Sequence, residues 1–114
     1  ASASVYVVAG ALQNREWLGF GGSFTEAAAV TFQRMSAPKQ SQLLRAYFDR
    51  SGLGYSLGRI SIGSCDFSLG HWTCGDFKDE SLQGFSLAHY DVAIFPMIRT
   101  AMELGPILLL ASPW

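Results

Sequence analysis

Nine acidic side chains, two histidines and two cysteines are the groups that could carry chemistry in this 114-residue chain. Two carboxyl groups can act together as a general acid and a base or nucleophile, provided that the fold brings both to one place. Asp66 is the acid that follows the end of a predicted strand. Glu26 opens a predicted helix, where a negative charge suits the positive end of the helix dipole. The spacing therefore gives no convincing catalytic pair.

The histidines and cysteines give no stronger signal. Cys65 and Cys74 are too few for a disulfide framework and are not spaced as a zinc site. No recognisable motif places a histidine beside Cys65, so a small buried filler is the better interpretation of that residue. His71 and His89 stand alone in the sequence, which favours loop or surface positions. We predict no metal site and no cofactor.

Three further residues could bind a ligand. Arg59 lies within an apolar strand and must be paired or solvated, since a lone buried charge is very costly. It could orient a carboxylate from elsewhere or form a structural ion pair. Asp66 could accept hydrogen bonds from ligand hydroxyls or cap a turn, and Trp114 could stack on a ring or close a core. Gly21-Gly22 could allow a close backbone approach, although a tight turn is the more usual role of such a pair.

The elements that must position these groups alternate between strands and helices. Thr25 or Ser23 can cap one helix, and Ser36 followed by Pro38 can begin another. The run Ile107–Ala111 shows no alternation, as expected of a strand buried on both faces. The predicted order is a short strand at Val5–Ala9, a strand at Trp17–Gly22, two helices, a strand at Tyr55–Ile62, the long loop Gly63–Gly84, an amphipathic helix from Val92 to Leu104, and the strand Ile107–Ala111.

Strands separated by helices predict parallel pairing through crossover connections. Two architectures fit this order, a small open α/β sheet or the first three units of a (β/α)₈ barrel. A complete barrel needs about 250 residues, and this chain stops directly after an apolar strand. An open sheet would need helices on both faces, and few are available. We therefore expect a truncated piece of a barrel.

The composition supports that expectation. Hydrophobic residues make up 49% and charged residues 15% of the chain, against about 25% charged in ordinary globular domains. Such a deficit indicates faces that further chain would cover. The formal net charge of -1 and the scattered basic residues give no stripe for nucleic acid. The sequence shows no apolar run long enough to cross a bilayer and no recognisable signal peptide.

Three segments resemble, in order and spacing, the family 30 glycoside hydrolases of the glucosylceramidase group. Gly19–Ala29 is similar to the first barrel strand and helix of that family. Gly54–Ser68 is similar to its second strand and substrate loop. Leu109–Trp114 is similar to its third strand and the tryptophan that follows, and Phe85-Ser86-Leu87 to the segment before that strand. The resemblance runs from about Trp17 to the end of the chain.

The resemblance implies strands 1–3 of a (β/α)₈ TIM barrel over residues 17–114. Residues 1–16 would be a lead-in or the remnant of an adjoining β-sandwich, with Val5–Ala9 as its short strand. The family cleaves glucosylceramide with retention, through a glycosyl-enzyme intermediate. Its acid/base glutamate follows the fourth strand and its nucleophile follows the seventh, so both would lie beyond this chain.

The same resemblance assigns roles to individual residues. Asp66 and Trp114 would bind the hydroxyls and ring of glucose, Arg59 would support the surroundings of the nucleophile, and Phe67 would line the rim. Cys65 matches a family cysteine that is not catalytic. The expected partners are a glycolipid or β-glucoside substrate, the remainder of the barrel and lipid presented at a membrane surface. The expected setting is lysosomal or secreted.

The sequence departs from the family pattern at two places. The loop Leu69–Gln83 does not match the animal lysosomal enzymes closely, and Gly58 stands where those enzymes carry a bulkier residue. The amino-terminal cysteines of the animal enzyme are also missing, so its disulfides are not implied. The alternative to a hydrolase segment is a truncated, non-catalytic module that binds sugar or another chain.

Overall fold

The structure, a computed structural model, describes residues 4–5, 10 and 16–114 and confirms the α/β class in that part of the chain. Three parallel strands form one sheet in the order β1-β2-β3. Of the predicted strand Val5–Ala9, residues 6–9 lie outside the described residues. The elements are β1 (Gly21–Ser23), α1 (Glu26–Gln33), α2 (Ala37–Phe48), β2 (Leu57–Ile62), α3 (Ala88–Val92), α4 (Ile94–Met102) and β3 (Leu108–Pro113).

The first two helices begin where their capping residues predict. Thr25 is the N-cap of α1, and its Oγ1 accepts a hydrogen bond from Ala28 N at 3.3 Å. Ser36 is the N-cap of α2, with proline in the first turn, but its side chain makes no capping hydrogen bond. The predicted buried face of α2 is only partly correct. Leu44 is buried, whereas Tyr47 is exposed.

The predicted helix from Val92 to Leu104 corresponds to α4, and the short helix α3 precedes it and ends at Val92. The two helices are separated by Ala93, whose φ is -144°. Pro96 explains the break, because it has no N–H to donate to the carbonyl of Val92 four residues earlier. That carbonyl accepts a hydrogen bond from Gln33 Nε2 of α1 instead, at 2.6 Å, which ties α1 to the end of α3.

The first strand is shorter than predicted and begins at Gly21 instead of Trp17. Gly19 has a φ of +117°, which bends the chain before the strand. Gly21 and Gly22 lie within β1, so the prediction of a tight turn there was wrong. The close-approach reading is the correct one, since a Cβ on Gly21 would collide with the carbonyl of Leu57.

Helices cover one face of the sheet only. Gly58 and Ile60 of β2 are buried beneath them, and Ile107, just before β3, joins the same core. Because side chains alternate along a strand, Leu57 and Arg59 point to the other face, together with their register partners on β3. Leu108, Leu109 and Leu110 are exposed. The prediction that β3 is buried on both faces is therefore wrong within the described residues.

Candidate functional site

Arg59 and Trp114 meet on the face of the sheet that no helix covers. Arg59 Nε donates a hydrogen bond to Ser112 Oγ at 2.9 Å, and its guanidinium lies over the Trp114 ring, 5.4 Å from the ring centroid. No carboxylate among residues 16–114 lies within ion-pair distance of Arg59. The structural ion pair that the strand pattern allowed is therefore not formed by this part of the chain. Trp114 remains 69% exposed and can offer a ring face to a ligand.

Asp66 and Phe67 lie in a tight turn four residues beyond the end of β2. Ser68 closes the turn, since its amide donates to Cys65 O and its Oγ accepts from Cys65 N, both at 3.0 Å. Asp66 is exposed, and its carboxylate makes no hydrogen bond to the part of the chain that the structure describes. It is therefore not the turn cap, because Ser68 has that role. Phe67 is 58% exposed beside it.

Glu26 connects this loop to helix α1. Its Oε2 accepts hydrogen bonds from Leu69 N at 3.1 Å and from Trp72 Nε1 at 3.2 Å, while its Oε1 lies 2.7 Å from His89 Nε2. One residue on, Ala27 N donates to Phe67 O at 3.0 Å. Glu26 does begin a helix, as its position predicted. The three groups that contact the Glu26 carboxylate belong to residues 43 to 63 positions away in the sequence, and no sequence signal pointed to them.

The environment of Glu26 favours its charged form. Burial by itself raises the pKa of this carboxyl, but the hydrogen bonds from His89, Leu69 and Trp72 outweigh that effect and lower the pKa below its usual value. Trp72 stacks on the His89 ring with centroids 4.1 Å apart. His89 is exposed, as the sequence predicted, but it is not isolated, because it contacts Glu26 and Trp72; His71 is also exposed.

Tyr90 fixes the beginning of the same loop. Its hydroxyl accepts a hydrogen bond from Gly63 N at 2.9 Å and donates one to Ser61 O at 2.8 Å. Burial is the main reason that the pKa of Tyr90 is raised to about 12, so this hydroxyl stays protonated. The thiol of Cys74 lies 3.7 Å from the same oxygen, and Cys65 is only half-buried; both cysteines are free.

The predicted site residues share the carboxyl edge of the sheet. Asp66 follows β2 and Trp114 directly follows β3, and these strands are parallel neighbours. The structure brings Arg59 and Trp114 into contact, and it places Asp66 and Phe67 in the loop beyond the same edge. Within residues 16–114 no cluster of three metal-ligating side chains is present. The edge offers a carboxylate acceptor, a guanidinium donor and an aromatic face, which together suit a ligand with hydroxyls and an apolar ring face.

A parallel sheet with crossover helices and polar groups at the carboxyl edge is the architecture of α/β barrels and doubly wound sheets. Comparison with known proteins decides between them. The sequence model of the glycosyl hydrolase family 30 TIM-barrel domain matches residues 17–114. The chain belongs to this family.

Individual relatives agree with that assignment. The lysosomal acid glucosylceramidase of Mus musculus is 41% identical over 100 residues, covering 84% of this chain and 19% of the relative. The crystal structure of SrfJ from Salmonella typhimurium matches with a TM-score of 0.78 and 42% identity, over 84% of this chain and 22% of that one. The endo-β1,6-glucanase BT3312 matches with a TM-score of 0.81 and 31% identity, over 91% and 23%. The chain spans about a fifth of the length of the curated relatives it matches.

Proposed function

We propose that this chain forms the first three βα units of a retaining β-glucosidase that hydrolyses glucosylceramide to glucose and ceramide. Residues 17–114 supply part of the glucose-binding surface, and residues 1–16 lead into the barrel or belong to an adjoining β-sandwich. Both catalytic glutamates stand on later strands, in the manner of the family, so the 114 residues alone are inactive. The remaining barrel strands are accordingly partners of this segment, and no cofactor takes part.

The observation that carries the proposal is the exposed carboxylate of Asp66, which has no hydrogen-bond partner among the described residues and lies at the same edge as the Arg59–Trp114 contact. A carboxylate accepts hydrogen bonds from two neighbouring hydroxyls, and an indole ring covers the apolar face of a pyranose. The guanidinium of Arg59 contacts the Trp114 ring through a cation–π interaction and so holds the ring in place. Arg59 Nε is used by Ser112, and its remaining N–H groups are available to orient the nucleophile's carboxylate.

A lipid aglycone is favoured by the loop beyond Asp66. This loop carries apolar side chains that are largely exposed and that would contact a ceramide or a membrane surface at the rim. The exposed apolar residues of the loop are Phe67, Leu69, Phe77, Leu82 and Phe85. The glucanase among the relatives makes a β1,6-glucan the competing substrate to test in an assay.

The lysosomal glucosylceramidase among the relatives leads us to infer a lysosomal or secreted setting. The described part of the chain contains no helix long and apolar enough to span a membrane. We infer that the whole protein meets glycolipid presented at a membrane surface.

Replacement of Asp66 in the whole protein tests the assignment. We expect Asp66→Asn to lower kcat/KM for glucosylceramide and for a fluorogenic β-glucoside by about 10- to 100-fold, because hydrogen bonds to a charged acceptor contribute about 1.5–3 kcal/mol. Asp91→Asn is the matched control, since Asp91 is exposed on α3 and pairs only with Arg99 among the described residues. Its kcat/KM should equal that of the parent.

Four outcomes would contradict the proposal. Equal rates for Asp66→Asn and the parent would remove Asp66 from the glucose site. Hydrolysis of β1,6-glucan in preference to glucosylceramide would replace the substrate. Robust turnover by the purified 114-residue chain would show that a catalytic pair exists within it, whereas a whole protein without glycosidase activity would favour a sugar-binding module.

A further inference from the structure

We infer that Glu26 and His89 form a clasp that positions the substrate loop, and that the ionised carboxylate of Glu26 holds the clasp together. Here the clasp means the Glu26 carboxylate with its donors Leu69 N, Trp72 Nε1 and His89 Nε2. That this loop contacts substrate rests on the proposed function, whereas its positioning by Glu26 and His89 rests only on the geometry of this chain.

The clasp holds the turn that carries Asp66 on its carboxyl-terminal side, away from the end of β2. Phe67 O accepts from Ala27 N, and Leu69 N donates to Glu26 Oε2, so two successive residues of α1 bracket the backbone next to Asp66. On the other side, Gly63 N is held by Tyr90. Asp66 itself has no hydrogen bond among the described residues, so its position depends on these backbone anchors.

The carboxylate of Glu26 is the acceptor that all three donors of the clasp share. Its side chain is 11% exposed, and all three of its partners are donors, so the ionised form is the one that fits. Protonation of Glu26 would weaken all three hydrogen bonds at once, because the donors would no longer face a negatively charged acceptor. Since the pKa of Glu26 is lowered, the clasp persists down to a pH below the usual range of a glutamate and loosens only as the pH falls through that lowered value.

His89 is the third donor of the clasp. Its Nε2 lies 2.7 Å from Glu26 Oε1, and its ring stacks on Trp72, which donates to the other carboxylate oxygen. Loss of the His89 side chain should therefore loosen the clasp without removing the two hydrogen bonds to Glu26 Oε2.

Two other titratable side chains of the described residues lie beside this pair. Tyr90 packs edge-on against Trp72, with centroids 4.9 Å apart, and its hydroxyl stays protonated throughout. Cys74 is half-buried beside Tyr90. In the described residues Glu26 has no other charged partner, because the remaining ion pair, between Asp91 and Arg99, is separate.

Hydrogen–deuterium exchange at the Leu69 amide, measured on the whole protein, tests the clasp without any need for turnover. After correction for intrinsic exchange, we expect protection to fall about tenfold in Glu26→Ala. His89→Gln keeps a neutral donor, so it should retain partial protection. His71→Gln is the matched control, because His71 is an exposed histidine of the same loop and should leave protection unchanged.

The emission of Trp72 provides an independent readout, because Trp72 donates to Glu26 and stacks on His89 at 4.1 Å. Its emission should change in Glu26→Ala and in His89→Gln but not in His71→Gln, and Trp72→Phe identifies the signal. Leu69 protection that is unchanged in Glu26→Ala would overturn the inference. A whole protein that shows the clasp but cleaves no glucoside would refute the proposed function alone.

Discussion

The neighbours of Gly58 in β2 leave no room for a larger side chain at this position. A Cβ at this position would lie 2.5 Å from Phe24 Cε2 and 3.1 Å from Leu109 Cδ2. Phe24 is buried and stacks on Phe48 with ring centroids 5.7 Å apart, so it cannot withdraw easily. The resemblance marked Gly58 as a departure from the bulkier residue of the animal enzymes, and the ring of Phe24 gives its physical reason in this chain.

We expect Gly58→Ala to reduce the free energy of unfolding by about 1–3 kcal/mol, because an added methyl in a filled core forces a shift of Phe24. Urea denaturation of the whole protein, followed by circular dichroism, measures this. Gly70→Ala is the control, since nothing lies within 4 Å of its added Cβ and Gly70 is exposed. A Gly58→Ala protein as stable as the parent would show that Phe24 has room to move.

At the scale of the element, the two predicted helix starts differ in a way that the sequence does not show. Thr25 and Ser36 are both residue types favoured at N-caps. Only Thr25 accepts a hydrogen bond from the helix, at Ala28 N, and it stands directly before Glu26. The start of α1 therefore matters for the loop that Glu26 holds, whereas the start of α2 depends on its proline and its packing.

Replacement of the two caps should separate these cases. We expect Thr25→Ala to cost about 1 kcal/mol of stability through the lost capping hydrogen bond, and Ser36→Ala to cost less than about 0.5 kcal/mol. Thermal unfolding of the whole protein with each single substitution gives the comparison. Equal losses would mean that Ser36 also caps its helix in solution.

At the scale of the whole chain, the apolar residues are only partly covered. The helix-free face of the sheet exposes Leu108, Leu110 and Trp114 around Arg59. In addition, an apolar cavity of about 530 Å³ lies between α1, α2 and β1. Both surfaces lie where a closed barrel would place further strands and helices, which agrees with membership of a TIM-barrel family.

The isolated 114-residue chain should consequently self-associate through the open face of its sheet. We expect Leu110→Glu to reduce the associated fraction in sedimentation velocity and to weaken the binding of an apolar dye, because Leu110 is 65% exposed next to Arg59. Val92→Glu, at a residue 66% exposed on α3, should leave association unchanged. An isolated chain that stays monomeric and binds no dye would contradict this expectation.

The amino-acid sequence by itself determined the alternation of strands and helices, the parallel pairing, a helix start capped by Ser23 or Thr25, and the family. These features depend on local periodicity, capping chemistry and motifs, which are written into contiguous residues. It also picked out Arg59 within a strand and Asp66, Phe67 and Trp114 beyond the ends of strands, and these residues remain predictions of the binding surface.

Only the tertiary structure decided what those residues contact. The link between α1 and the end of α3 depends on Gln33 reaching Val92, and the role of Glu26 depends on donors 43 to 63 residues away. The exposure of β3 follows from helices that pack on one face alone. Each of these contacts joins residues that are distant in sequence, and local pattern carries no information about which distant partner the folded chain brings near.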